Sequence, residues 1–119
     1  MTSYEVGDVV IVRFPFTDLT SDKKRPAIIL SPLEYLTRFG DIVLMPLTSR
    51  PEQDSAFALL QWKGAGLLKP TWIKPLIGTL SVRLVLRRLG GLQKQDEVTV
   101  CAALASLLAD RWRGQVHSR

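Results

Sequence analysis

The chain has 119 residues, 46% of them hydrophobic and 23% charged, a balance that suits one packed domain over residues 1–119 and excludes a disordered polyelectrolyte. No apolar run approaches the roughly 18 residues of a membrane span, "MTSYEVGD" lacks the basic start and apolar stretch of a secretory leader, and the one cysteine, Cys101, cannot close an internal disulfide; together these predict a cytoplasmic protein with no membrane association. The net charge of +5 favours a polyanionic partner such as nucleic acid or an acidic protein segment, although the same excess also serves plain solubility.

The elements follow in chain order. "VGDVVIVRF", Val6 to Phe14, is β-branched and alternates, with Val10, Val12 and Phe14 on one face and Val9, Ile11 and Arg13 on the other. A polar loop from Pro15 to Lys24 leads to a second strand, Arg25 to Ser31, whose continuous apolar run Ala27 to Leu30 predicts burial on both faces. "SPLEYLTRFG" is a polar connection with a helical turn that Gly40 ends. Asp41 to Ser49 is a third strand, and Pro46 within it predicts an edge or a bulge. Ala56 to Trp62 reads as a fourth strand, and "KGAGLLKP" turns the chain. Thr71 to Ser81 reads as a strand interrupted by Pro75 and Gly78, and "VRLVLRRLGGL" as a turn followed by a short strand. From Gln95 to Arg113, Val98, Cys101, Leu104, Ala105, Leu108 and Trp112 recur at spacings of three and four, predicting an amphipathic helix with that stripe inward and Cys101 a small buried side chain. Asp96 and Glu97 fall in its first turn, and Arg111 and Arg113 in its last, as the helix dipole favours. Short strands and a terminal helix predict a mainly β fold, a small curved sheet or barrel capped by the helix.

Much chemistry is excluded by count. One cysteine and one histidine cannot build a zinc site, and no Gly-rich phosphate loop precedes a helix. His117 lies in the tail, so a histidine-pair ribonuclease and a Ser-His-Asp triad are both out. The constellation that remains is basic. Arg25 opens the second strand, and Thr48 and Ser49 close the third. If those strands are antiparallel neighbours, Arg25 and Thr48 share one rim, and the loop with Asp18, Thr20 and Asp22 hangs over it. A guanidinium there can fork onto a phosphate and a hydroxyl can donate to it. Lys23, Lys24 and Arg50 add to the positive field. Spacing alone leaves open a plainer reading, in which Arg25 is a solvated strand end and Thr48 a strand terminator.

The stretches "VGDVVIVRFPFTDLTSDKKRPAIILSP", "LMPLTS" and "GLLKPTWIKPLIGTL…RRLGGL", in this order, resemble the PemK/MazF family of toxins from bacterial toxin–antitoxin modules, over about Val6 to Leu92 with the terminal helix also fitting. The resemblance implies an SH3-like barrel, shared with the CcdB type, that forms a homodimer. It implies a metal-independent and cofactor-free endoribonuclease that cuts single-stranded RNA at short sequences, its 2′-hydroxyl attacking and a cyclic phosphate remaining. The family's catalytic arginine and threonine match Arg25, for charge on the phosphate and a contribution to leaving-group protonation, and Thr48, for positioning. Asp22, Lys23, Lys24, Ser49, Arg50, Arg83 and Arg87 are the substrate-binding candidates. An acidic antitoxin is the expected partner, its extended segment lying on the basic surface. Two positions differ from many members. The first loop offers Thr20 and Asp22 where some have glutamate, and "KPLIG" supplies no acid.

Other features keep more than one reading each. Arg83, Arg87 and Arg88 form a basic wall beside the substrate groove, a surface that meets an acidic antitoxin tail, or a solvated face. Trp62 and Trp72 stack bases, or fill the core or a dimer interface. Trp112, between Arg111 and Arg113, closes the core stripe or serves a rival function: a non-nuclease growth inhibitor that binds DNA gyrase in the CcdB manner would act through this helix end. A degenerate toxin that retains only antitoxin binding is the third possibility.

Overall fold

A computed structural model describes residues 3–14, 23–50 and 55–112. Strand β1, Asp8–Arg13, lies between β2, Lys24–Ile29, and β6, Val85–Gly91, antiparallel to both. Its alternation works as the sequence predicts. Val10, Val12 and Phe14 enter one core with Ala27 and Ile29, and Val9 enters a second core with Ile28. The run "AIIL" carries no polar residue because both faces of β2 are covered.

After β2 the chain forms α1, Leu33–Phe39, which buries Leu36. Gly40, at φ 72°, ends it and donates its N–H to the Leu36 carbonyl at 2.8 Å, the left-handed stop that glycine adopts without strain. Strand β3, Asp41–Thr48, pairs with β2 on one side. On its other side β3 holds β5, Gly78–Ser81, along residues 41–44 and β4, Trp72–Ile73, along residues 47–48. The order is β4-β3-β2-β1-β6 with β5 also on β3. Register slips between Val9 and Val10 and between Ile11 and Val12 bend the β1–β6 pair. The result is an antiparallel, barrel-like sheet with a C-terminal helix, in which β6 and β5 are not bonded to each other among the described residues.

Pro46 corrects the expectation of an edge. It is buried in a central strand and paired with Ala27 of β2. Within a strand, a residue's N and C=O point the same way, and the Pro46 carbonyl accepts from Lys74 N–H at 2.9 Å on the β4 side. The missing N–H therefore faces the break between β5 and β4, where no ladder bond is lost.

Three further expectations are corrected. Ala56 to Trp62 is not a strand. Ser55–Phe57 makes a 3-10 turn, and Ala58 alone bridges to Trp72. The terminal helix α2 is shorter, Glu97–Leu107, and Leu108 is extended. Its inward face is also different: Val100 and Ala103 are buried, whereas Val98 is 75% exposed and Cys101, Leu108 and Trp112 are exposed. Asp96 is fully buried, and its carboxylate accepts from Leu60 N–H at 2.8 Å and Gln61 N–H at 2.9 Å. That clamp turns the helix about its axis. The face that follows Asp96 inward is Val100 and Ala103, joined by Leu104 of the predicted stripe, whereas Val98 and Cys101 turn outward and Leu108 lies beyond the helix. The tail beyond Trp112, with Arg113 and His117, and the loop with Asp18, Thr20 and Asp22 lie outside the described residues.

Candidate functional site

The β2–β3 register pairs Ala27 with Pro46, Ile28 with Met45 and Ile29 with Leu44. Continued by two residues, it sets Arg25 opposite Thr48. Directly opposed residues of antiparallel strands point to the same face. For Arg25 and Thr48 that is the face of Ala27, Ile29 and Leu44, at the end of the first core, beside Phe14. The two side chains line one small hollow of about 170 Å³ with Arg50 and Lys74, walled by Phe14 and Pro46.

They also line an adjoining hollow of about 390 Å³. Ile11 pairs with Pro26 on one side and Arg87 on the other, so Arg87 reaches this second hollow from β6 across an apolar floor of Ile11 and Pro26. Lys24, Ser49 and Lys69 complete its polar rim. The wall carrying Leu67, Leu68 and Lys69 is set by a backbone-to-backbone contact. A Cβ on Gly66, at φ 89°, would stand 2.2 Å from the Leu89 carbonyl oxygen, and one on Gly90 would stand 2.5 Å from that of Ala65. The glycines of "KGAGLL" and "RRLGGL" let the two segments touch.

Thr48 is buried at 8% exposure, and its Oγ1 accepts from Arg50 N–H at 3.2 Å, which leaves the hydroxyl proton for a ligand. Arg25 is half-buried, and its Nε is buried without a hydrogen-bond partner among the described residues. A buried donor left unmade costs roughly 1–3 kcal/mol, and an anionic oxygen in the hollow would relieve it. Among the described residues, no acidic side chain, histidine or cysteine lines either hollow, and no group of metal-ligating side chains occurs. The cations that line the pair of hollows can hold an anion. A roomier hollow of about 430 Å³ lies between α2 and the β2–β6 side of the sheet. Its lining is mainly apolar, with Asp8 and Glu97 as its charged groups and no cation among the described residues, so it has nothing to attract an anionic substrate.

The family model for the PemK-like, MazF-like toxin of type II toxin–antitoxin systems matches residues 5–108. The chain belongs to this family. Its fold is similar to that of MazF from Deinococcus radiodurans, at 23% identity over 90% of this chain and 97% of that one, with a TM-score of 0.72. It is similar to the MazF-mt6 toxin of Mycobacterium tuberculosis at 20% identity, covering 83% and 93% of the two chains with a TM-score of 0.67. A mycobacterial endoribonuclease in complex with its cognate antitoxin matches at 20% identity, covering 89% and 93% with a TM-score of 0.66. No curated protein matches the chain in sequence.

Within this PemK/MazF-like fold, the residues singled out from sequence divide clearly. Arg25, Thr48 and Arg50 line both hollows, and Lys24, Ser49 and Arg87 line the larger one. Lys23 is exposed at the hairpin end, where its carbonyl accepts from Phe14 N–H, and it lines neither. Arg83 also lines neither; it sits in a 3-10 turn after β5. Arg88 is bound to Asp8, Nε to Oδ1 at 3.0 Å. Trp62 is packed against the second core, and Trp72 pairs with Thr48 across the sheet; neither lines a hollow. Asp22 lies outside the described residues. Sequence reasoning missed Lys69, Thr71 and Lys74. Thr71 is buried and donates to the Lys69 carbonyl at 2.8 Å, fixing that bend. Lys74 enters the site through a backbone contact across the sheet, its N–H donating to the Pro46 carbonyl, which no local pattern signals.

Proposed function

We propose that this protein is the toxin of a toxin–antitoxin module and a metal-independent endoribonuclease acting on single-stranded RNA. The observation that carries the reading is the shared anionic-ligand site, in which the strand register brings Arg25 and Thr48 together with a buried guanidinium nitrogen lacking a partner. In the reaction the 2′-oxygen attacks phosphorus and the bond to the 5′-oxygen breaks. The products are a 2′,3′-cyclic phosphate and a 5′-hydroxyl, with one proton leaving the 2′-hydroxyl and one arriving at the 5′-oxygen. Negative charge grows on the non-bridging oxygens, and Arg25 stands where it neutralises that charge. The Thr48 hydroxyl donates to the same phosphate and fixes its approach. Lys24, Lys69 and Arg87 hold flanking phosphates along the larger hollow, with Ser49 at its rim. A homodimer is part of this reading, and so is an acidic antitoxin segment that covers the cations.

The test is RNA cleavage in EDTA by the purified protein beside Arg25→Ala and Thr48→Ala, with the ends mapped. Discrete cuts by wild type, reduced about a hundredfold or more in Arg25→Ala with fold and assembly intact, are expected, since removing one charge-stabilising donor of this kind costs about 10²–10³ in rate. No cuts from a folded wild type on varied RNAs overturn the nuclease. A second reading rests on Trp112, which is 58% exposed with the Arg111 guanidinium 5.4 Å from its ring centroid. An inhibitor that binds gyrase through this end would stay toxic as Arg25→Ala and lose toxicity as Trp112→Ala.

A further inference from the structure

Lys74 is a cation on the lining of the small hollow that also holds Arg25 and Thr48. It follows β4 directly, and its backbone N–H is tied to the Pro46 carbonyl at 2.9 Å. That bond seats it against the break between β4 and β5, on the rim of the small hollow, with Arg25, Thr48 and Arg50. Its side chain is exposed, and no acidic residue among the described ones lines that hollow.

Size separates the two hollows. Pockets that take drug-sized ligands run to roughly 300–1,000 Å³. The larger hollow, about 390 Å³ with an apolar floor, falls in that range and can take a nucleoside. The smaller one, about 170 Å³, falls below it, and its polar groups are donors: a guanidinium with a buried unpartnered Nε, a hydroxyl with a proton to give, and an ammonium. Donors alone, converging on a space too small for a base, suit one tetrahedral oxyanion.

We propose that the small hollow is a pocket for a single phosphate, the one at which the RNA chain is cut, and that Lys74 contacts its non-bridging oxygen. The identity of the ligand as RNA rests on the reading given above; the phosphate pocket does not. Lys74 thereby stabilises the same developing charge as Arg25 from the β4 side.

The experiment measures binding of a single-stranded oligonucleotide, 2′-deoxy throughout and so uncleavable, as a function of salt. It compares wild type, Lys74→Gln, Lys74→Arg and Lys94→Gln, the last an exposed lysine that lines neither hollow. One lost phosphate contact lowers the slope of log affinity against log salt by about 0.7 for a single strand, a fall of about fivefold at 0.1 M relative to 1 M salt. That loss in Lys74→Gln, with recovery in Lys74→Arg and no change in Lys94→Gln, is expected. A slope in Lys74→Gln equal to wild type overturns the proposal. If wild type itself binds no oligonucleotide, the RNA reading falls, and inorganic phosphate becomes the probe. Saturable movement of the Thr48 and Lys74 amide resonances in wild type, lost in Lys74→Gln, then supports the pocket alone, and no movement overturns it.

Discussion

At the scale of single residues, two buried polar groups do opposite work. Asp96 is a solved problem of burial. Its carboxylate lies at 0% exposure and takes two backbone N–H groups, Leu60 and Gln61, from a segment that makes no strand of its own. Arg25 is an unsolved one, because its buried Nε has no partner among the described residues. The first is structural, and the second supports the reading of Arg25 as a ligand-facing group. Replacing Asp96 with Ala leaves two donors unmade in the interior. Hydrogen bonds to a charged group contribute roughly 1.5–3 kcal/mol each, so Asp96→Ala is expected to lose about 3 kcal/mol or more in urea unfolding. A midpoint equal to wild type would sink the clamp. Arg25→Ala removes an unmade donor along with its charge, and its stability is expected to hold while cleavage falls.

Among the elements, the informative device is the contact between the Ala65–Gly66 turn and the end of β6. It places Leu67, Leu68 and Lys69 as the far wall of the larger hollow. Gly66 and Gly40 make a controlled comparison, since both have positive φ. Nothing lies within 4 Å of a Cβ on Gly40, whereas one on Gly66 would meet the Leu89 carbonyl. Gly40→Ala carries only the left-handed strain, about 1–2 kcal/mol. Gly66→Ala adds a backbone clash, so it is expected to cost more than Gly40→Ala in thermal unfolding and to weaken RNA binding as the wall moves. Equal losses for the two, with binding unchanged, would show that the contact does not position the wall.

For the whole molecule, charge is sorted more sharply than its sum of +5 suggests. Lys24, Arg25, Arg50, Lys69, Lys74 and Arg87 gather around two adjoining hollows, and no acidic side chain among the described residues lines them. A single strand following this surface meets up to six cations. Its affinity is expected to fall with salt at a slope of roughly four, at about 0.7 for each phosphate neutralised. A slope near one, measured by fluorescence anisotropy, would mean that the strand does not track the surface. The same surface, apolar along Ile11, Leu67 and Leu89 and basic at its rim, suits an acidic, partly apolar antitoxin segment competing for the site.

Local patterns determined much of this fold. The alternation in β1, the two-sided apolar run in β2, the glycine that stops α1, and the Pro75–Gly78 interruption between β4 and β5 all act within a few residues, so the sequence by itself specifies them. It also put Arg25 and Thr48 at strand ends that need only an antiparallel register to meet. What the sequence left open depended on distant partners. The apolar period in α2 was real and put Leu104 against the core, yet it missed Val100 and Ala103, because a buried Asp96 held by Leu60 and Gln61 goes with a helix rotation that leaves Val98 and Cys101 exposed. Ala56 to Trp62 had strand composition but no strand to pair with beyond one bridge. Lys74 joins the site where its N–H meets the Pro46 carbonyl, between the stretches of β3 that pair with β4 and β5. Propensity is a property of neighbours along the chain, and helix rotation and site membership are set by contacts across it.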